Sequence, residues 1–512
     1  MRRLGIIVMM AAVAVTTATS ARAQAADSLA AVADTSSYVQ QISSHASRLT
    51  PHALHLTPYE KKRPWLASAD IVIVTGAIIG YNNSFMSGTP WSTVSMRSMV
   101  RNVKDFDWWW DNDYFFTNTF EHPYHGTLYY TAARANNLNI LESSLFATGG
   151  SLLWELFGES ERPSYPDMIT TPLGGIVLGE PLHRASRAIL DDSKRGLARV
   201  GRELLAAVVN PVGAFNRVLT GEAWRVRSPQ GGHRPVVEQT VSMGYRRQTN
   251  DDKPTIHAAY LDWEAVYGDV LGSEGTGLFD YFDLDMRLTA GNHQTPINYT
   301  RATAQLVSCQ MNRGPQPKAA AGLYGHLLYI YSEPDHKLAE AQRKRNILGY
   351  SEAVAVGPGV AYRVGRSLQW EQQLYAHGIV LGATPQKLVD RQHSLLGYSF
   401  GSGYGAKLYS RLKAGNWLRL RLDADFSQLF TWKGYACSDP DIDLRRVRGY
   451  DVQGEAGNAL TFIGTPALEL RPWRHLAVEG SARYQWHHFN YRYHQHTSLD
   501  SWEWAVGLKL CL

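Results

Sequence analysis

The sequence predicts an α+β protein, with an N-terminal helical domain followed by an antiparallel transmembrane β-barrel of about 12 strands. Helix-like segments joined by Gly/Pro loops fill residues 61–225, and an alternation of apolar and polar side chains begins after Pro235. The 512 residues include 27 Tyr and 15 Trp. This aromatic excess is typical of a barrel that meets two membrane interfaces.

The chain opens with a pattern typical of export. Arg2 and Arg3 precede an apolar run from Leu4 to Val15, and small residues lead to the cleavage sequence Ala21–Ala23. We expect a secretory signal peptide over residues 1–23, and ordinary export rather than the twin-arginine route. Residues 24–60 have no apolar period, which predicts a flexible leader.

Composition excludes several kinds of site. Cys309, Cys437 and Cys511 are too few and too far apart for a disulfide framework or a metal-ligand spacing. The 51 Lys and Arg residues nearly balance the 46 Asp and Glu residues. No basic block carries interleaved aromatics, so we expect no nucleic-acid partner. No motif identifies a cofactor.

One segment, Leu66 to Gly80, approaches the composition of a membrane helix. It contains Asp70 and falls short of the ~20 apolar residues that a bilayer core requires. We therefore interpret it as a buried or interfacial helix.

The alternation after Pro235 predicts membrane strands. In SWEWAVGLKLCL, every second residue from Trp502 to Leu512 is apolar, whereas Glu503 and Lys509 lie on the other face. Segments long enough for a tilted crossing of ~9–11 residues recur near residues 236–248, 256–269, 278–290, 299–312, 320–333, 350–363, 367–381, 396–412, 416–430, 458–470, 475–489 and 501–512. A soluble β-sandwich also alternates, but its typical strand has only ~5–6 residues.

The connections between these strands predict an orientation. Those after even strands are mostly short, and several after odd strands are long and polar, as in SEPDHKLAEAQRKRN. Outer-membrane barrels place their short turns in the periplasm. Both barrel ends and the helical domain are therefore predicted on the periplasmic side, with the domain against or partly inside the barrel mouth.

Four blocks stand in order in the helical region: HPYHGTLYYTAARANNLN, GSLLWELFGE, PSYPDMITTPLGGIVLGEPLHRASRAIL and NPVGAFNRVLTGE. They resemble an uncharacterised family of Gram-negative envelope proteins, domain of unknown function 3943, over residues 100 to 225. The resemblance implies an envelope location and no established reaction. The matching positions are His122, Pro123, Gly126, Arg134, Gly150, Ser151, Trp154, Glu155, Gly158, Glu159, Asp167, Gly175, Gly179, Glu180 and Arg184.

The polar residues of these blocks predict a shaped site. Pro123 and Gly126 indicate that HPYHG is a turn, and Ser151, Glu155 and Glu159 follow at helical spacing along one stripe. We expect the imidazoles, carboxylates, hydroxyl and arginines to converge on one pocket. Its predicted binding residues are Arg134, Glu159, Asp167, Glu180 and Arg184.

Three interpretations of this site remain open. A lipid acyl hydrolase would use Ser151 as nucleophile, His122 or His125 as base and Glu155 as orienting carboxylate, although Ser151 lacks a Gly-x-Ser-x-Gly elbow. A metal site would use both histidines and a carboxylate. Alternatively, the polar groups satisfy one another and clamp the domain. We favour the clamp.

The predicted function is therefore non-enzymatic: a channel, a lipid-handling scaffold or an envelope-assembly protein of the outer membrane. Polar residues alternate into the proposed lumen, among them Arg419, Arg421, Asp423, Asp425, Glu479 and Arg483. Outer-membrane lipid and envelope-assembly proteins are the expected partners. An outer-membrane lipid-modifying hydrolase is the alternative.

Overall fold

A computed structural model describes residues 61–85, 93–110, 115–227, 237–250, 255–272, 278–291, 296–312, 318–332, 348–386, 398–432, 434 and 454–511. The predicted signal peptide and leader, residues 1–23 and 24–60, lie outside these ranges.

Seven α-helices precede the strands within the described ranges: α1 (Pro64–Phe85), α2 (Met96–Asp105), α3 (His122–Ala135), α4 (Ile140–Phe157), α5 (Asp167–Ile189), α6 (Gly196–Val209) and α7 (Pro211–Leu219). A π-helical turn, Thr117–Glu121, leads into α3. Local chemistry sets the start of α4, because the side chains of Asn139 and Glu142 each accept the other's backbone N–H at 2.9 Å.

The stretch HPYHG is helical, so the predicted turn is wrong. His122 to Gly126 form the start of α3, where Pro123 is tolerated because the first N–H groups of a helix have no intrahelical partner. Gly126 serves helix packing instead. A Cβ at this position would lie 1.8 Å from the carbonyl oxygen of Thr171 on α5. The two helices therefore cross backbone to backbone.

Helix α1 is longer than the predicted Leu66–Gly80 segment. By length and composition, its 22 residues make it the one helix in the described part of the chain that could cross a membrane. Asp70 does not interrupt it, because this carboxylate is fully buried and accepts hydrogen bonds from Asn136 at 2.8 Å and Asn216 at 2.5 Å. Val72 and Ile73 are exposed.

The strands form a closed antiparallel barrel, which confirms the predicted fold class. They pair in sequence order, and β12 returns to β1. Their bounds are β1 (Val237–Asn250), β2 (Ile256–Tyr267), β3 (Phe282–Gly291), β4 (Ile297–Asn312), β5 (Lys318–Ser332), β6 (Leu348–Val364), β7 (Leu368–Pro385), β8 (Tyr398–Ala414), β9 (Leu418–Thr431), β10 (Gly457–Trp473), β11 (Leu476–Tyr491) and β12 (Thr497–Cys511).

The two faces of the barrel wall differ as the alternation predicts. On β12, Glu503 and Lys509 are buried in the lumen, whereas Trp504 and Val506 are 55% and 54% exposed on the outer wall. Exposed and buried residues alternate along much of β12, because successive side chains of a strand point to opposite faces.

The described helices that contact the barrel pack against its outer wall. Leu178 and Leu182 of α5 pack with outward-facing residues of β3 to β5, among them Leu284 and Leu327. These wall positions are buried, with Leu284 fully covered, although equivalent residues on β12 are exposed. The described helices thus lie beside the barrel, and the predicted position inside its mouth is not observed for them.

Helix α5 runs along the wall between two rims. We define the terminal rim as the one where β1 begins and β12 ends, and the opposite rim as the other. Near the opposite rim, Ile169 packs into a cluster that contains Tyr331 and Tyr398. At the terminal rim, Arg184 donates to the carbonyl oxygens of Leu278 and Phe279 between β2 and β3. The helical region therefore extends over the height of the wall.

Candidate functional site

The predicted site residues form two clusters rather than one pocket. Asp167 lies at the start of α5 and Glu180 lies thirteen positions along it, so about 20 Å of helix separates them at ~1.5 Å per residue. The histidine cluster, near the opposite rim, contains His122, His125, Ser151, Glu155, Glu159 and Asp167. The arginine cluster, near the terminal rim, contains Tyr130, Arg134, Glu180, His183 and Arg184.

The two histidines of the histidine cluster face different partners. Nε2 of His122 lies 3.5 Å from a carboxylate oxygen of Asp167, and both side chains are buried. The ring of His125 instead meets Trp154 edge-on, with centroids 4.5 Å apart, and lies 4.6 Å from Tyr129. His122 thus has a carboxylate beside it, and His125 lies among aromatic rings.

The remaining members of this cluster contact helix ends. Glu155 accepts the backbone N–H of Ser164 at 2.7 Å, which ties α4 to the segment before α5. The hydroxyl of Ser151 donates to the sulfur of Met168 at 3.5 Å. Glu159 lies just past the end of α4 and accepts the indole N–H of Trp154.

These contacts bear on the hydrolase and metal interpretations. The described hydrogen bond of Ser151 goes to a thioether, whereas a catalytic serine needs an imidazole as its acceptor. Within the described residues, no group of three or more His, Cys, Asp or Glu is placed to hold a metal ion. The contacts resemble those expected of a clamp between helices.

The arginine cluster is a buried ion-pair network. Glu180 is fully buried and accepts from Arg134 Nε at 2.6 Å and Nη2 at 2.9 Å. It also accepts from Arg184 at 2.8 Å and from the Tyr130 hydroxyl at 2.8 Å. The third Arg134 nitrogen, Nη1, donates to the carbonyl oxygen of Leu138. The network joins the end of α3 to α5 and, through Arg184, to the terminal rim.

A large cavity lies beside this network. It has a volume of about 1200 Å³ and separates the end of α5 and α6 from the outward faces of β1 to β3. Most of its lining is apolar, with Leu197, Leu205, Val241, Leu261, Trp263 and Leu288 on its two sides. Arg134, His183, Arg184, Arg187 and Arg202 contribute its basic part. We call this space the wall cavity.

Sequence reasoning missed parts of the wall cavity. Arg187 lies on α5 and Arg202 lies on α6. The two line the same cavity only because α6 folds back over α5. His183 lies in the third block of the helical region, between the predicted residues Glu180 and Arg184, but is not among the predicted site residues. The signal that could have found α6 is its apolar stripe, since Leu197, Leu204 and Leu205 are well exposed on one amphipathic helix.

The lumen holds a second polar network, which spans the barrel. Arg301 on β4 lies 3.1 Å from Asp423 on β9, and Arg287 on β3 lies 2.9 Å from Glu503 on β12. Arg411 on β8 pairs with Asp283 on β3. The predicted lumenal positions also form ion pairs, several of them with an adjacent strand: Arg419, Arg421, Asp423, Asp425, Glu479 and Arg483.

The fold thus defines a closed twelve-stranded barrel that carries a helical region on its outer wall. Residues 107–212 match the family described as Domain of unknown function (DUF3943), which confirms the predicted resemblance for that segment. No curated protein matches the chain.

Several solved structures show a weak likeness. The NanC porin has 10% identity and a TM-score of 0.24, with 52% of this chain and 100% of that chain covered. The outer membrane channel DcaP of Acinetobacter baumannii has 8% identity and a TM-score of 0.23, with coverage of 56% and 99%. The translocator domain of autotransporter NalP from Neisseria meningitidis has 10% identity and a TM-score of 0.22, with coverage of 55% and 90%.

Proposed function

We propose that this protein is an outer-membrane, lipid-handling barrel without an enzymatic role. In this proposal the barrel and the helical bundle, defined as α1, α3, α4 and α5, lie side by side in the bilayer. The wall cavity between helices and barrel is the observation that carries the lipid-handling role, because a mainly apolar cavity of this size beside a membrane suits acyl chains.

The outer wall of the barrel supports a membrane location. Outward residues such as Met243 (60%) and Val506 (54%) are exposed, whereas lumenal charges are buried. A soluble protein rarely leaves so extensive an apolar band in water. Strands of 10 to 18 residues are long enough for tilted crossings of a bilayer, which need ~9–11 residues.

The surface of the helical bundle supports its immersion beside the barrel. Leu145 on α4 is 73% exposed, and Val72 on α1 is 59% exposed. The only charges within α1 and within α4 after its first turn, Asp70 and Glu155, are buried. The 18 residues of α4 extend over about 27 Å at ~1.5 Å per residue, close to the ~30 Å hydrocarbon core.

Charged pairs lie at both ends of the bundle. Arg162 pairs with Asp107 at the end near the opposite rim, and Lys62 pairs with Glu142 at the other end.

Near the terminal rim, Arg217 of α7 pairs with Glu203 and Asp192 at 2.7 and 2.6 Å. Burial acts to lower the pKa of Arg217, but these carboxylates outweigh it and raise the pKa above its ordinary value. We assign the terminal rim to the periplasm, because the connections there between β6 and β7, β8 and β9, and β10 and β11 have only two or three residues.

The ion pairs of the lumen favour a barrel whose interior is blocked by side chains over an open channel. Arg301 and Arg411 reach from one side of the interior to Asp423 and Asp283 on other strands. Side chains fixed in this way occupy the path that a solute would take.

Recordings in planar bilayers test whether the lumen is blocked. We expect no steady current from the full-length protein and pores from the double variant Arg301→Ser/Arg411→Ser. Replacement of two exposed arginines, Arg195→Ser/Arg225→Ser, is the control and should stay silent. A steady current from the unaltered protein would contradict the blocked lumen.

Spin labels test whether the bundle lies in the bilayer. In a variant whose three cysteines are replaced by serine, labels at Val72 and Leu145 should be relaxed by oxygen and shielded from a water-soluble nickel chelate. A label at Arg195 should show the reverse. Nickel access at Leu145 equal to that at Arg195 would place the bundle in water. Cell fractionation, together with heat-modifiable gel migration, tests the outer-membrane assignment.

The hydrolase stays a second candidate because of one observation. The buried His122 and Asp167 lie 3.5 Å apart, as the base and orienting carboxylate of a catalytic triad would. Loss of a lipid-modifying activity in His122→Ala, with the protein still folded, would favour this alternative.

A further inference from the structure

The geometry points to a specific ligand for the wall cavity: a diacyl glycerophospholipid with an anionic headgroup, bound with its phosphate at Arg187 and Arg202. This inference rests on the proposed function, because it requires the wall cavity to face the bilayer. It adds the chemical class of the lipid and the residues that select it.

The apolar part of the cavity can accept acyl chains. Leu197 and Leu205 of α6 form one side, and Leu261 and Leu288 of the barrel wall form the other. All four are also exposed at the surface, by 41% to 90%, so the cavity is open along its length. Its volume of about 1200 Å³ exceeds the ~300–1,000 Å³ of sites for drug-sized ligands. A two-chain lipid is a ligand of suitable size and polarity.

The charged part of the cavity is basic. Four arginines line it, and none of the described residues in its lining is acidic. Arg134 and Arg184 are held by Glu180. Arg187 is exposed, and no described acidic side chain pairs with it. Arg202 donates to the carbonyl oxygen of Ile189 at 2.7 Å, which keeps it beside the end of α5.

A buried histidine lies beside the arginines of the cavity. His183 lines the cavity and is 6% exposed, yet its Nδ1 has no hydrogen-bond partner among the described residues. A buried polar atom without a partner is costly, by ~1–3 kcal/mol. Nδ1 is itself buried, so a phosphate or glycerol oxygen of a lipid would reach it only after the His183 ring turns toward the cavity.

The position of the arginines indicates which leaflet of the membrane supplies the lipid. Arg184 reaches the backbone between β2 and β3 at the terminal rim, and Arg187 lies almost one helical turn further along α5. The charged part of the cavity is therefore at headgroup depth on the side assigned to the periplasm. Glycerophospholipid is the anionic lipid that we assign to this leaflet, and lipid A at this site would contradict the inference.

Mass spectrometry of lipid bound to the purified full-length protein tests the inference. The protein is equilibrated in mild detergent with equal amounts of phosphatidylglycerol and phosphatidylethanolamine. We expect one bound lipid, with phosphatidylglycerol preferred. For Arg187→Gln/Arg202→Gln, we expect that preference to fall about tenfold, as the loss of charge-assisted hydrogen bonds implies. The variant Arg195→Gln/Arg225→Gln removes two exposed arginines elsewhere and should keep the preference.

A cavity-filling variant tests the acyl-chain part separately. A Cβ at Gly201 would meet nothing within 4 Å, and Gly201 lines the cavity. Gly201→Trp should therefore occupy part of the cavity without disturbing the helix and reduce bound lipid about tenfold. The matched control is Gly149→Trp on α4, since a Cβ there also meets nothing within 4 Å and Gly149 lies outside the cavity.

The outcomes separate this inference from the proposed function. Equal lipid binding by Gly201→Trp and the unaltered protein would overturn the inference, and so would an unchanged headgroup preference in Arg187→Gln/Arg202→Gln. Lipid A found on the protein as purified from cells, before the two lipids are added, would also overturn it. None of these results would bear on the blocked lumen or on the depth of the bundle in the bilayer. Conductance and spin labels measure these two properties independently.

Discussion

Removal of the Glu180 carboxylate should destabilise the helical bundle and leave the barrel unaffected. Glu180 is fully buried, and Arg134, its main partner, is 2% exposed. The variant Glu180→Ala leaves that guanidinium buried without its counter-ion, which costs ~3–5 kcal/mol. At ~2–4 °C per kcal/mol for a domain of this size, the melting temperature of the helices should fall by about 6–20 °C.

The assay follows the two parts of the protein separately. Helical circular dichroism reports the melting of the bundle, and heat-modifiable gel migration reports the barrel. Asp280→Asn is the control, because Asp280 lies 3.6 Å from the same Arg184 but is partly exposed. Such a pair contributes less than ~1 kcal/mol. A Glu180→Ala protein whose helices melt within about 2 °C of the unaltered protein would refute the reasoning.

Two further predictions concern helix packing and the histidine cluster. Gly126→Ala should destabilise the protein by ~1–3 kcal/mol or more, because the added Cβ would lie 1.8 Å from the Thr171 carbonyl oxygen. The control Gly149→Ala, on an open helix face, should not destabilise it. Melting curves of the two variants test this, and equal curves would contradict the close crossing of α3 and α5. Glu155→Ala should cost ~1–3 kcal/mol because the buried N–H of Ser164 loses its acceptor, and lipid mass spectra of the cells should not change. An altered lipid profile with an unaltered melting curve would instead favour catalysis.

The barrel could be predicted from the sequence because its signal is local. Alternation along one strand assigns each side chain to a face, as with Glu503 and Trp504, and the structure has the expected twelve strands. The choice of ion-pair partner for a lumenal side chain is not local, because the partner lies on another strand. The pairing of Arg301 with Asp423 joins β4 to β9, and no spacing within either strand indicates it.

The candidate site was harder to predict for two physical reasons. Pro172 and Pro181 are residues that ordinarily end or kink a helix, yet α5 continues through both from Asp167 to Ile189. The length of that helix separates the histidine cluster from the arginine cluster. Apolar periodicity also cannot distinguish a helix face buried by protein from one covered by lipid, so the position of the bundle on the outer wall was not predictable.

The position of α2 constrains how the protein is assembled. Asn102 of α2 donates to the carbonyl oxygen of Glu161 near the opposite rim, so α2 lies at the far end of the bundle from the first described residues. It carries Arg97, Arg101 and Lys104. If the bundle is immersed as proposed, three cations must traverse the hydrocarbon layer during biogenesis, at ~2.5–3.5 kcal/mol each on insertion scales. A helical hairpin entering lipid alone would meet that barrier of roughly 8–10 kcal/mol. We therefore expect α1 and α3 to insert together with the barrel strands, as one concerted event.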